Sequence, residues 1–295
     1  MRKIPVVIIC LLILNSNSLF GLDYRVYKNE MKKWDKSRIE GLLAENGWVN
    51  LIGLLWLKDG SNSLGSGKDN DLIVPSYNIA NYAGKIIKTD DKVILTDVKD
   101  KNIKLNGKQV KEIVLFHKDS TNNPMLECKN LRWTIIKRDN DFAVRLRDIK
   151  SPLLKKFKGI KRYNLDTNYI VKAKFIPHQN KISTIPIQKM NGKVSNLTSS
   201  GKLEFSLNNQ KYTIDVLDEE GSFFLIFGDK TNDNGTYPSG RFMYVDLPDK
   251  NGETIIDFNK AYNPPCAFTE FANCPLPPEQ NILPIAIKVG EKYGK

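Results

Sequence analysis

The chain has 295 residues and a formal net charge of +12 at pH 7. This length excludes a small peptide-like protein and is enough for one large or two ordinary domains with a sizeable core. The positive charge alone is compatible with a nucleic-acid partner. However, the lysines are scattered, and their densest group, at residues 155–162, is typical of a solvated surface. We therefore expect no nucleic-acid partner.

The N-terminus has the order of an export signal. It begins Met-Arg-Lys, residues 4–14 are apolar, and residues 15–18 are small and polar. The apolar run is shorter than the ~20 residues of a bilayer-spanning helix, which favours a cleaved signal peptide over residues 1–21 rather than a retained anchor. We expect cleavage near Ser18 or Gly21. The mature chain should then be periplasmic or extracellular and have no integral membrane span.

The next segment is predicted to be one amphipathic helix over residues 24–46. Apolar side chains recur there at helical spacing, at Tyr27, Met31, Trp34 and Leu42. Asn46 and Gly47 form a stop signal. The apolar stripe fits a helix packed on its own domain, with a partner-binding face as the alternative. Residues 48–57 are predicted to form a turn and a buried strand.

Residues 60–110 consist of short β-rich runs separated by turn residues, which is typical of an antiparallel sandwich. The runs GSGKDNDLIVPS, AGKIIKTDDKVILTD and IKLNG resemble the forkhead-associated domain in their order of loop, strands and Asn-Gly turn. In that family an arginine and a serine hold phosphothreonine. Lys68 stands where the arginine is expected, and residues 78–81 replace the serine-containing run. The resemblance therefore implies the sandwich, over residues 47–165, and not phosphopeptide binding.

Further strands are predicted on both sides of residue 165. Residues 132–138 and 142–148 should form a β-hairpin that alternates apolar side chains with arginines. Alternating or apolar runs predict strands at 169–176, 184–188, 201–207, 212–216 and 222–227. The chain is thus predicted to be mainly β, with a second antiparallel domain over residues 166–295. A single continuous β assembly is the alternative.

Polar, aromatic and turn-forming residues are densest between residues 227 and 278. The chemically useful side chains there are Asp229, Thr231, Tyr237, Arg241, Asp257, Asn259 and Asn263, with Cys266 and Cys274 nearby. Loops on a rigid β scaffold are where binding and catalytic groups are usually placed. The sequence therefore predicts a polar pocket in this region.

This stretch closely resembles the domain of unknown function 1684 family. Members carry F-x-D-x-T, T-Y-x-x-G-R, D-F-N-x-A-Y-N-P-P-C-A-F and C-P-L-P-P motifs and a closing G-E, and each occurs between Phe227 and Glu291. Residues 48–57 and 138–148 fit the same family. The resemblance implies no particular activity, because the activity of the family is unassigned.

Three interpretations of the polar residues remain open. They could hold loops together, with Arg241 and Asp257 as a buried structural pair. They could form a catalytic site, in which Asp229 or Asp257 acts on a substrate whose anionic group Arg241 anchors. They could also bind a ligand without catalysis, through Thr231, Tyr237, Arg241, Asn259 and Asn263.

The cysteines and histidines suggest no common cofactor or metal site. Cys266 and Cys274 are predicted to form a disulfide, with a free structural thiol, a nucleophile or a metal ligand as alternatives. Cys128 is expected to be a small buried hydrophobic residue. His117 and His178 are read as surface or strand-end residues rather than catalytic bases. No glycine-rich phosphate loop, G-x-S-x-G elbow or H-E-x-x-H helix is present.

Together these observations predict an exported protein of the cell envelope that binds a small anionic or polar ligand in a C-terminal pocket. Its partner would be a small molecule or an envelope component, and we expect no cofactor. The alternative is a hydrolase-like enzyme that uses Asp229 and Asp257, with Arg241 binding an anion.

Overall fold

The computed structural model describes residues 23–121, 123–138, 141–179 and 183–294. The predicted signal peptide over residues 1–21 lies outside these ranges. The chain divides into two compact units, residues 1–38 and 39–295. Within the described residues, no helix combines the length and the apolar character that a membrane crossing requires.

The first described element is the helix α1, Tyr24–Leu43, which begins in the first unit and continues into the second. It ends three residues before the predicted residue 46. Asn50 explains this earlier end, because its side-chain amide donates hydrogen bonds to the carbonyl oxygens of Ala44 and Glu45 and stabilises a turn there. The turn and the strand predicted within residues 48–57 are both present: residues 48–50 lie in the turn, and the strand begins at Leu51.

The N-terminal half of the second unit contains eleven described strands. They are β1 Leu51–Trp56, β2 Gly60–Gly65, β3 Leu72–Ile73, β4 Gly84–Lys88, β5 Lys92–Thr96, β6 Ile103–Leu105, β7 Lys108–Gln109, β8 Ile113–His117, β9 Leu126–Cys128, β10 Leu131–Arg138 and β11 Asp141–Asp148. They form a six-stranded sheet in the order β1-β11-β10-β9-β6-β7 and a five-stranded sheet in the order β3-β2-β4-β5-β8. One hydrophobic core takes residues from both sheets, including Ile86 and Trp133.

The predicted hairpin is present as β10 and β11. Trp133 lies opposite Leu146 and Ile135 opposite Val144, and all four side chains belong to the core. Arg145 lies between Val144 and Leu146 in the strand and therefore on the opposite face of the sheet. The predicted alternation of apolar side chains and arginines on the two faces of the hairpin is confirmed.

The second half contains the helix α2, Pro152–Lys156, and nine described strands. The strands are β12 Ile170–Pro177, β13 Ser183–Gln188, β14 Val194–Ser199, β15 Gly201–Leu207, β16 Gln210–Asp215, β17 Leu217–Glu219, β18 Ser222–Phe227, β19 Arg241–Asp246 and β20 Glu253–Asp257. Short 3-10 helices occupy Thr167–Tyr169, Phe258–Lys260, Pro265–Ala267 and Glu279–Asn281. The sequence pattern did not predict β14 and β17.

These strands form three further antiparallel sheets, in the orders β16-β15-β12-β20, β17-β18-β19 and β13-β14. A second core takes residues from the first two of these sheets, including Phe205, Phe227 and Ile256. The prediction of a mainly β protein with one N-terminal helix and antiparallel sheets is confirmed. The two cores take their residues from opposite sides of residue 165, and the domain boundary there stays a prediction.

Candidate functional site

The loop after β18 is built around the carboxylate of Asp229. Its Oδ1 accepts hydrogen bonds from the backbone amide of Thr231 at 2.8 Å and from the Thr231 hydroxyl at 2.6 Å. The amide of Ile287 donates to the same oxygen at 3.2 Å. The Thr231 hydroxyl also contacts that of Thr236 at 2.8 Å. Aspartate at this position therefore organises its own loop, as Asx turns commonly do.

The other oxygen of Asp229 pairs with Arg241, the first residue of β19. Arg241 Nη2 donates to Asp229 Oδ2 at 2.7 Å and to the Ile287 carbonyl at 2.9 Å, and Nη1 donates to the Val289 carbonyl. Both side chains are completely excluded from solvent. The prediction that Arg241 pairs with Asp257 is thus wrong, because the buried acidic partner of Arg241 is Asp229.

Burial lowers the pKa of Arg241, and the neighbouring Asp229 carboxylate opposes that effect by favouring the charged guanidinium. Arg241 Nε is buried without a hydrogen-bond acceptor among the described residues. Its guanidinium carbon lies 5.4 Å from the centre of the Phe227 ring. An arginine so enclosed does not present its charge to a dissolved ligand.

Asp257 and Asn259 form a separate group at the end of β20. Asp257 Oδ1 accepts hydrogen bonds from the backbone and side-chain amides of Asn259, both at 3.0 Å. The Asn259 side chain also exchanges hydrogen bonds with the backbone of Asp166, at 2.9 and 3.0 Å, and the Asn259 backbone carbonyl accepts one from Arg162. Asn259 is buried, whereas Asp257 is half-buried. This group ties residues 162–166 to the start of a 3-10 helix.

Asn263 connects the same region to the C-terminal residues. Its backbone amide donates to the buried carboxylate of Glu291 at 2.7 Å, and its side-chain amide donates to the Lys292 carbonyl at 3.0 Å. The sequence motif contained Glu291, but its side chain was not predicted to be buried. The closing Gly290-Glu291 dipeptide was the only sequence signal that Glu291 has a structural role.

Tyr237 is buried, and its backbone carbonyl accepts a hydrogen bond from Asn232, whose side-chain oxygen accepts one from the Asp229 amide. Its ring packs edge to face on Tyr293, with 4.8 Å between ring centres, and its hydroxyl is 3.9 Å from the sulfur of Met190. Burial raises the pKa of Tyr237. Thus Asp229, Thr231 and Arg241 meet directly, while Tyr237, the Asp257–Asn259 group and Asn263 have other neighbours.

Cys266 and Cys274 form a disulfide, and each sulfur also accepts a hydrogen bond from the backbone amide of the other cysteine. Cys128 is a free, buried thiol within the first core, as expected. None of the described residues form a cluster of three or more histidine, cysteine or acidic side chains able to hold a metal ion.

The sequence pattern did not predict one contact between a histidine and a serine, a pair that serine hydrolases use in catalysis. His178 Nε2 lies 3.0 Å from the hydroxyl of Ser199. Ser199 is completely buried, however, and its hydroxyl donates to the Gly201 carbonyl at 3.2 Å. A serine nucleophile needs access to its substrate, so this contact fits a structural bond between the end of β12 and the end of β14.

The polar cluster therefore acts first as an internal framework. The Asp229 carboxylate accepts four protein hydrogen bonds, one of them from the sealed Arg241, and is not exposed to solvent. The fold and the cluster define a mainly β protein in which a buried Asp–Arg pair fixes the C-terminal loops.

Residues 155–292 match the model of a protein family described as "Protein of unknown function (DUF1684)". The match includes every candidate site residue from Asp229 to Cys274 and confirms the resemblance over this range. Residues 48–57 and 138–148 lie outside it.

Two solved structures show similarity to the chain. The first is the solution NMR structure of an uncharacterized protein from Haloarcula marismortui, at 28% identity, over 48% of this chain and 80% of that chain, with a TM-score of 0.40. The second is Mycobacterium tuberculosis EmbR in complex with a low affinity phosphopeptide, at 13% identity, over 43% of this chain and 32% of that chain, with a TM-score of 0.21. Neither similarity is high enough to support an argument about function, and the forkhead-associated arrangement stays a prediction. No curated protein matches the chain.

Proposed function

We propose that the protein is an exported binding protein of the cell envelope, and that a small anionic or polar ligand binds at the solvent-facing edge of the C-terminal cluster. The observation that carries the proposal is the contact of the Lys292 ammonium with the Tyr163 ring at this edge, and the complete burial of the Asp229–Arg241 pair argues against the catalytic alternative. This burial removes the strongest candidate base and the strongest candidate anion-binding group from contact with a substrate. Both residues then serve to support the loops around them.

The proposed edge is set by a short backbone ladder. The amide of Tyr163 donates to the Gly290 carbonyl at 3.0 Å, and the amide of Lys292 donates to the Lys161 carbonyl at 2.8 Å. Tyr163 and Lys292 are both half-buried, and the Lys292 ammonium lies 5.0 Å from the centre of the Tyr163 ring. An ammonium and a phenol at a fixed edge are groups that anionic and hydroxylated ligands bind.

Two features support export. The first is the basic, apolar and small-residue order of residues 1–21. The second is the disulfide between Cys266 and Cys274, because structural disulfides persist mainly in oxidising compartments.

Binding is tested by a thermal-shift screen of anionic and polar metabolites. The proteins are the wild type, Lys292→Met and Lys288→Met, the last being an exposed lysine four residues earlier in the chain. A ligand of the proposed edge should raise the Tm of the wild type and of Lys288→Met, and should have little effect on Lys292→Met. Equal shifts in all three proteins would contradict the location of the site.

The enzymatic alternative depends on Asp257, the half-buried carboxylate of the cluster. An activity panel of hydrolase substrates should compare the wild type with Asp257→Asn and with Asp246→Asn, an exposed carboxylate at the end of β19. We expect no turnover by any of them. Turnover that is lost only in a folded Asp257→Asn protein would replace the binding proposal with a hydrolase.

A further inference from the structure

A second group of cations lies on β11, outside the family match and outside the C-terminal cluster. Val144 and Leu146 point into the first core, so Arg145 and Arg147 share the other face of the six-stranded sheet. In the pairing with β10, Arg132 lies opposite Arg147. One face of this sheet therefore carries three neighbouring guanidinium groups.

Arg132 is neutralised by carboxylates of the chain. Its Nε lies 3.5 Å from Glu45 Oε2, and its Nη2 lies 3.7 Å from Glu127 Oε2. Its Nη1 also donates to two backbone carbonyls. This arginine has the partners that a partly buried cation normally has.

Arg145 and Arg147 lack such partners. Arg147 is only 4% exposed, and its Nε donates to the Gly47 carbonyl at 3.0 Å. The Arg145 guanidinium carbon lies 4.8 Å from the centre of the Trp48 ring, and the buried Nε of Arg145 has no hydrogen-bond acceptor in the described part of the chain. Within residues 23–121, 123–138, 141–179 and 183–294, no carboxylate forms an ion pair with either arginine.

Burial lowers the pKa of both arginines to about 10, and for Arg145 the positive charges of Arg138 and Arg147 act in the same direction. Both groups therefore remain charged at neutral pH. Buried charges in proteins are normally paired or bound to an ion of opposite charge, because an uncompensated charge is costly to remove from water. Arg145 and Arg147 are two adjacent cations without a counter-charge among the described residues, and a bound anion supplies such a charge.

We propose that Arg145 and Arg147 form a binding site for an oxyanion, a phosphate or carboxylate group of a small ligand. Alternate residues of a strand are spaced by about 6.6 Å, so one tetrahedral or planar oxyanion accepts hydrogen bonds from both forks. The Arg145 guanidinium packs against the Trp48 ring, and Arg147 Nε donates to the Gly47 carbonyl. Arg145 and Trp48 are half-buried, which places the entrance on their side.

The test uses the whole mature chain and inorganic phosphate as the probe, with acetate in a parallel titration, at constant ionic strength. We expect a saturable rise in Tm. A response to phosphate alone indicates a phosphoryl ligand, and a response to acetate alone indicates a carboxylate. If neither anion gives a saturable shift in the wild type, the proposal is wrong.

Two variants distinguish the site from nonspecific charge effects. Arg147→Met should weaken the anion response by about 10-fold or more, because a charge-assisted fork is lost. Lys108→Met removes an exposed lysine of β7, at the far edge of the same sheet, and should leave the response unchanged.

Arg147→Met also separates ligand binding from a structural role. Without added anion, its Tm should equal or exceed that of the wild type, because an uncompensated buried cation has been replaced by an apolar side chain. A lower Tm with an intact anion response would show that Arg147 only supports Gly47. If this variant does not fold, Arg145→Lys retains the charge but not the planar fork. It should also bind about 10-fold more weakly, and unchanged binding would contradict the site.

Discussion

At the scale of single residues, the C-terminal cluster is determined by charge burial. The side chains of Asp229 and Arg241 are both fully excluded from solvent, and the remaining acceptors around Arg241 are the carbonyls of Ile287 and Val289. A pair of this kind contributes little net stability against an apolar replacement, but either charge alone is very costly. The pair therefore specifies which loops meet more than it stabilises them.

Asp229→Asn is expected to lower the free energy of unfolding by about 3–5 kcal/mol, because it leaves Arg241 charged and buried without its acid. Urea unfolding measures the change. Adding Arg241→Met to the same chain should recover part of the loss.

The control for that prediction is Lys211→Met, which removes one member of an exposed pair whose lysine is 77% accessible to solvent. It should cost less than about 1 kcal/mol. An Asp229→Asn cost as small as this would contradict the account of the buried pair.

Cys128 makes a second residue-scale prediction. Burial, followed by the negative charge of Asp100, raises its pKa to about 12. At pH 8 the folded protein therefore holds on the order of 1,000-fold less thiolate than a free cysteine, and iodoacetamide should label Cys128 only after unfolding. Mass spectrometry of native and denatured samples measures this.

The same pKa shift has a defined sign for stability. The unfolded thiol ionises near pH 8.5 and the folded thiol does not, so Cys128 should decrease stability progressively as the pH rises above about 8.5. Cys128→Ala should lack this contribution. Native labelling as fast as denatured labelling would show that the thiol is accessible.

At the scale of elements, the turn before β19 determines where Arg241 can lie. Gly240 has φ +88°, and a Cβ built on it would lie 2.6 Å from the Phe227 carbonyl oxygen and 2.5 Å from a ring carbon of Pro277. Both the conformation and the close approach require glycine here. The glycine of the T-Y-x-x-G-R motif thus allows three segments to meet.

Gly159 allows the cost of the backbone conformation to be measured apart from the cost of the close approach, because it has φ +86° and open space where a Cβ would lie. Gly159→Ala should cost about 1–2 kcal/mol from conformation alone. Gly240→Ala should cost a further 1–3 kcal/mol, roughly, from overpacking. Chemical denaturation of both variants checks this, and equal costs would mean that Pro277 and Phe227 move aside freely.

At the scale of the whole molecule, residues 161–163 belong structurally with the C-terminus, because they pair with residues 290–292. The family match likewise begins at residue 155. The hydrogen bonds of Asn259 to the backbone of Asp166 lie in the same region. Residues 161–163 therefore contact the C-terminal residues directly, and the boundary at 165 stays a prediction.

A fragment that begins at residue 155 should consequently be more stable than one that begins at 166. Loss of the ladder and of the Arg162 contact removes several hydrogen bonds, which should lower the Tm by about 10 °C. Circular dichroism melts measure the difference. A fragment beginning at 150 serves as the control and should match the one beginning at 155. Equal stability of the 155 and 166 fragments would show that the ladder is dispensable.

Local patterns were sufficient to predict most elements. The strands β15 and β18 lie where alternation and the apolar run placed them, and the hairpin of β10 and β11 has the expected faces. The helix end was predicted three residues too late, because the Asn50 side chain stabilises an earlier turn through hydrogen bonds that the helical periodicity does not indicate. Strand β14 was missed because its burial pattern is weak.

The sequence by itself determined the mainly β class, the N-terminal helix, the cysteine pair and the region in which the polar residues collect. Side-chain periodicity and turn residues act over a few positions, so one dimension is enough to predict them. Only the tertiary structure decided that Arg241 pairs with Asp229 and not with Asp257, that this pair is sealed, and that none of the described carboxylates pairs with Arg145 or Arg147. Burial and charge pairing depend on which distant strands pack together, and no local pattern encodes that choice.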